Sequence, residues 1–151
     1  MTDEIFEREI TLKRVFDASR EDLWRAWTEP GRLTRWWGKR GWTAPLETIS
    51  MDVRPGGAFR LINVRNEDGQ EMRQEGTYRE VVAPERLVFA EGADAEGPNA
   101  EQTVTVVAFV DLGEGRTEVA VHTTVHTTSE ILEQMTGGVA SALARLAEDL
   151  A

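Results

Sequence analysis

Residues 128–151 read TSEILEQMTGGVASALARLAEDLA, and this stretch decides the fold. Ile131, Met135, Val139, Leu143, Leu146 and Leu150 fall three or four residues apart, which places them on one stripe of an α-helix. Ser129 stands where an N-cap would. Glu133, Arg145, Glu148 and Asp149 occupy other positions, so the helix is amphipathic and laid on a surface. The paired glycines Gly137-Gly138 conflict with it, at a cost of about 1 kcal/mol each relative to alanine. They imply a close approach to a sheet, a kink, or a helix that begins only at Gly138. Most of the chain before this stretch alternates with a period of two, so a set of strands is expected to wrap the stripe.

Taken in order, Ile5 to Phe16 is a strand whose more apolar face carries Phe6, Ile10, Leu12 and Phe16. Ser19 opens a short helix with Leu23, Trp24 and Trp27 on its apolar face, and Pro30 breaks it and starts another. Leu33, Trp36 and Trp37 recur at helical spacing there, and Gly38 and Gly41 end it. All five tryptophans lie between Trp24 and Trp42, as core or as an aromatic lid over a pocket. Strands follow over Leu46–Val53, Phe59–Val64, Glu71–Val82, Leu87–Ala90, Thr103–Val110 and Thr117–Val125, separated by turns at Pro55-Gly56-Gly57, Asn66–Gly69, Ala83–Glu85 and Gly113–Gly115. Glu91 to Glu101 reads as a mobile acidic loop. The order β-αα-β6-α, with helices segregated from strands, is an α+β domain built on an antiparallel sheet.

At 151 residues the chain fits one domain, 1–151, with a core of its own. Apolar residues make up 40% and charged ones 29%, no apolar run is long enough to cross a bilayer, and the acidic N-terminus lacks a secretory h-region. With no cysteine there is no disulfide framework or thiolate chemistry, and a cytoplasmic location is expected. A net charge of −10 repels nucleic-acid phosphates and anionic membranes, so neither is an expected partner. Arg32, Arg35, Lys39 and Arg40 form a local basic cluster, either a solvated face or a docking patch for an acidic protein.

Candidate chemistry is thin. His122 and His126 would share a metal on a helix, but on a strand they stand roughly 13 Å apart. Four serines exist, none in a nucleophile elbow, and Ser19 and Ser129 read as caps. Glu75 and Glu80 flank Tyr78 on the fourth strand and could move protons if buried, or simply face solvent beside Arg73 and Arg79. What remains is an apolar interior supplied by Trp36, Trp37, Phe59, Leu61, Met72, Tyr78, Phe89, Val107, Phe109, Met135 and Val139. Such a lining is either plain core or a pocket for a small hydrophobic or aromatic molecule. Neither catalytic residue, metal nor cofactor is assigned.

Four motifs in order carry a family resemblance: Phe16-Asp17-Ala18-Ser19 through Trp24-Arg25-Ala26-Trp27-Thr28; Leu33-Thr34-Arg35-Trp36-Trp37-Gly38; Asp52-Val53-Arg54-Pro55-Gly56-Gly57; and Glu75-Gly76-Thr77-Tyr78 through Pro84-Glu85-Arg86-Leu87-Val88-Phe89. The chain resembles the activator-of-Hsp90-ATPase homologue type, within the START/Bet v 1-like (SRPBCC) superfamily. The resemblance implies a helix-grip fold, a curved antiparallel sheet around a long C-terminal helix with two short helices after the first strand. It specifies fold better than function, because the superfamily includes lipid carriers, hormone receptors, cyclases and polyketide-processing enzymes. The family often has Gly-Trp where this chain has Gly138-Val139, which implies a larger cavity here. The eukaryotic co-chaperone carries an additional N-terminal domain that these residues do not contain, so Hsp90 activation is not carried over. Three functions compete: binding of a small hydrophobic molecule between sheet and terminal helix, a co-chaperone-like protein-interaction module using the basic cluster, and an enzyme using a cavity acid or Tyr78.

Overall fold

Period-two segments and tight turns build most of the domain. The computed structural model describes residues 4–92 and 103–151. Strand β1 (Phe6–Phe16) leads into α1 (Arg20–Thr28) and the one-turn α2 (Pro30–Leu33). Two short strands, β2 (Trp42–Thr43) and β3 (Ser50–Met51), precede the long hairpin β4 (Ala58–Arg65) and β5 (Glu71–Val82). Then come β6 (Arg86–Glu91), β7 (Thr103–Gly113), β8 (Arg116–Thr127) and the closing α3 (Ser129–Leu150). Every strand pairing is antiparallel, in the order β1-β8-β7-β6-β5-β4-β2, with β3 also on β4. The sheet curls into a half-barrel beside the long terminal helix, the expected helix-grip α+β architecture.

The apolar alternation read from the sequence sets which face is buried. Val119, Val121 and Val125 of β8, Val107 and Phe109 of β7, and Leu87 and Phe89 of β6 are all buried. Leu23 of α1 and Leu146 of α3 are sealed as well, joining both helices to one core. Ser19 caps α1 as expected, its Oγ accepting the Asp22 N–H at 3.1 Å.

Several expectations need correction. The strand expected over Leu46–Val53 is a 3₁₀ turn at Leu46–Thr48 followed by the two-residue β3. The cause is Thr48, whose hydroxyl donates to the Pro45 carbonyl at 2.7 Å and accepts the Ile62 N–H at 3.2 Å, replacing ladder bonds with local ones. The second helix stops at Leu33. Thr34 Oγ1 donates to the Ala44 carbonyl at 2.6 Å, and the backbone turns to present Trp36 and Trp37. Helix α3 is capped by Thr128, not Ser129: Thr128 Oγ1 accepts the Ile131 N–H at 3.2 Å. It runs unbroken through Gly137-Gly138, and beyond the adjacent residues and backbone of the helix itself neither glycine would bring an added Cβ within 4 Å of a described atom. The close-approach and late-start readings of that pair are therefore wrong. The expected loop from Glu91 lies mostly outside the described residues, but Glu91 itself ends β6.

Candidate functional site

Most of the expected pocket lining is core. Trp36, Phe59, Leu61, Tyr78, Phe89, Val107 and Phe109 are buried in one cluster. The tryptophans interlock edge to face, Trp27 with Trp36 at 4.7 Å between ring centroids and Trp24 with Phe109 at 5.5 Å. Trp36 Nε1 donates to the Ala26 carbonyl at 3.0 Å. This is packing, not a lid. Met72 departs from the expected interior: it lies on the β5 end and is 52% exposed. Trp37, Met135 and Val139 are half-buried.

Helix α3 seals only along its second half. Its buried residues are Leu143 and Leu146, and Ile131 at the other end is exposed. Three links hold the second half. Arg145 Nη1 donates toward the carbonyls of Trp37 at 3.0 Å, Gly38 at 2.9 Å and Trp42 at 3.0 Å. The Arg40 N–H donates to Ser141 Oγ at 3.0 Å, and the Arg40 guanidinium pairs with Glu148. Arg35 pairs with Asp149 at 2.8 Å. Gly38 and Gly41, both at positive φ, make the turn that offers those carbonyls.

The same links decide the basic cluster. Arg35 and Arg40 form intramolecular ion pairs at the exposed surface, Lys39 sits 5.7 Å above the Trp42 ring, and Arg32 is half-buried. Local sequence did not show the acidic partners of Arg35 and Arg40, because Asp149 and Glu148 lie over a hundred residues away.

Two spaces adjoin Phe59. A small apolar pocket of about 20 Å³ lies among Trp27, Leu33, Trp37, Leu61, Tyr78 and Phe89, room for one water at most. On the other side an open recess of about 910 Å³ is lined by Phe59, Met72, Gln74, Gly76, Glu91 and Thr103, with the charged Arg60, Arg73 and Glu75 at its rim. The register explains the recess. Glu91, the last residue of β6, pairs with Gly76 and Thr103, while β5 continues to Glu71 paired only with β4 among the described residues.

Polar groups missed by the sequence reading gather there. Glu91 follows Leu87 and Phe89 on the same face by strict alternation, a signal that was legible had the strand been carried one residue further. Burial pushes its carboxyl up to about 7. Gln74 Oε1 accepts from both Trp37 Nε1 and Asn63 Nδ2, each at 2.8 Å. The buried Asn63 Oδ1 has no hydrogen-bond partner among the described residues. On the neighbouring strands Thr105 and Thr123 share a buried hydroxyl bond of 3.0 Å. Burial also raises the Tyr78 phenol above its ordinary value, which makes it a poor acid.

The other candidates fall elsewhere. His122 faces outward, bonded to Thr11 Oγ1 at 2.8 Å and 3.4 Å from Glu9. No group of His, Asp or Glu that could hold a metal ion occurs among the described residues, and no helix among them is long and apolar enough to cross a membrane. Glu75 and Glu80 are exposed, Glu80 3.4 Å from Arg86.

Known structures share this geometry. Protein CV1439 from Chromobacterium violaceum is similar at 25% identity over 93% of this chain and 94% of its own, with a TM-score of 0.79. The AHSA1 protein from Silicibacter pomeroyi is 22% identical over 95% of this chain and 97% of its own, with a TM-score of 0.80. Protein Ms6760 from Mycobacterium smegmatis is 21% identical over 98% and 96%, with a TM-score of 0.76. A comparison with curated proteins finds no match. The model of the family "Activator of Hsp90 ATPase homolog 1-like protein" matches residues 17–151. By that match over most of its length, the chain belongs to the activator-of-Hsp90-ATPase homologue 1-like family.

Proposed function

We propose that the domain binds a small, largely apolar molecule between the sheet and the first half of α3, reached through the recess where β6 ends. One observation carries this reading. Phe59 lines both the large open recess and the small apolar pocket beside it, so one ring borders a polar mouth and an oily interior. Met135 and Val139, half-buried on the first half of α3, offer further apolar surface. Gln74 and Glu91 would orient the polar end of such a molecule. The test is titration of ¹⁵N-labelled protein with a panel of fatty acids and aromatic compounds, for wild type and Phe59→Ala. Saturable shifts at Gly76, Glu91, Met135 and Val139, strengthened in the variant, are expected. No saturable shift in either protein overturns the proposal.

Glu91 alone favours a second reading, acid–base chemistry on the bound molecule, since a carboxyl that titrates near neutrality suits proton transfer. The co-chaperone-like reading has less support, because Arg35 and Arg40 are paired internally.

A further inference from the structure

The two edges of the sheet are treated differently. The β4 edge is guarded: β2 pairs with its end, β3 with its start, and Thr48 takes up the Ile62 N–H between them. The opposite edge is β1, eleven residues paired to β8 without a bulge from Phe6 to Phe16. It contains no proline or glycine, and among the described residues nothing pairs with its outer side. A long regular edge of this kind is a template for another strand.

Its side chains say which strand. Antiparallel pairing of β1 with itself about a two-fold axis at Ile10 keeps both faces in phase. On the outer face Ile5 then meets the partner's Val15, and Glu7 meets the partner's Lys13. Glu9 meets the partner's Thr11. On the inner face Phe6 meets the partner's Arg14, a cation over a ring. Ile5, Phe6 and Val15 are 70%, 55% and 47% exposed, large apolar surface that this register would cover. Neither Glu7 nor Lys13 has an ion-pair partner among the described residues. The neighbouring registers fail: moving the axis one way sets Glu9 against the partner's Glu9, and the other way sets Arg8 against the partner's Arg14.

We infer that β1 is a self-complementary interface, through which two copies of this chain join their sheets edge to edge. The matching of acid to base and apolar to apolar at successive positions identifies the occupant as a second copy and not an arbitrary extended peptide. The surface is separate from the recess, so the inference stands whatever the domain binds.

Sedimentation equilibrium on wild type, Glu7→Lys, Lys13→Glu and the double variant Glu7→Lys/Lys13→Glu tests it. Both positions are exposed, and circular dichroism checks that each variant folds. Wild type and the double variant are expected to dimerise alike, with each single variant about tenfold weaker or more, because two attractive pairs become two repulsive ones. A wild type that stays monomeric at millimolar concentration overturns the inference. So does a double variant as weak as the singles.

Discussion

Replacing Arg145 with methionine should loosen the tryptophan turn from α3 while leaving the rest of the helix seated. Its Nη1 lies 3.0, 2.9 and 3.0 Å from the carbonyls of Trp37, Gly38 and Trp42, and 3.4 Å from that of Lys39. One nitrogen carries two hydrogens, so four oxygens share two bonds at any instant. A charge-assisted bond contributes about 1.5–3 kcal/mol when dry, and less here because the side chain is half-exposed. Methionine keeps most of the aliphatic stem, so the packing loss is small. The expected net cost is about 2–3 kcal/mol. Urea unfolding followed by tryptophan fluorescence reads it, and near-ultraviolet circular dichroism reads the freed rings. Lysine at this position should recover part of the loss, since it keeps the charge but not the planar fork. A methionine variant within 0.5 kcal/mol of wild type would refute the reasoning, since it would show water serving those carbonyls equally well.

Three further outcomes follow from the geometry. Glu91 titrates near 7 in the fold against an ordinary 4.5, so its neutral form is the one the fold prefers; stability should fall as pH rises from about 4.5 to 7 and then level off. Glu91→Gln should remove that fall, gaining at most about 3 kcal/mol at pH 8 and nothing at pH 4, as measured by urea midpoints. Gly76→Ala should cost about 2 kcal/mol or more, because the new methyl would run into the Ala90 carbonyl and stand 2.7 Å from the Phe59 ring; equal thermal stability would count against it. Gly137→Ala and Gly138→Ala should each raise stability by up to about 1 kcal/mol, since a methyl meets nothing there and helix propensity improves, and a loss would mean the helix bends at this point.

Local periodicity made the main elements legible. The stripe from Ile131 to Leu150 is a helix, the alternation through β8 buries Val119, Val121 and Val125, and Ser19 caps α1. Misreadings arose where one side chain redirected the backbone: Thr48 turned an expected strand into a 3₁₀ turn, and Thr34 stopped a helix that Trp36 and Trp37 would otherwise extend. The candidate site was less legible, because residue type does not distinguish a filled interior from an open one. Phe59 and Val107 have the same alternation, yet only Phe59 borders the recess. Nor can local pattern reveal that Arg35 and Arg40 meet Asp149 and Glu148, which is a fact of tertiary approach.

The pairing of β1 with β8 has a consequence for synthesis. Phe16 finds its partner at Thr117 and Phe6 at Thr127, about a hundred residues later in the chain. On the ribosome the first strand therefore emerges long before any native neighbour exists, with both of its sides open. Until β8 arrives, neighbouring nascent chains on one messenger present identical bare segments to each other, and the interval should lengthen wherever translation slows between β6 and β8.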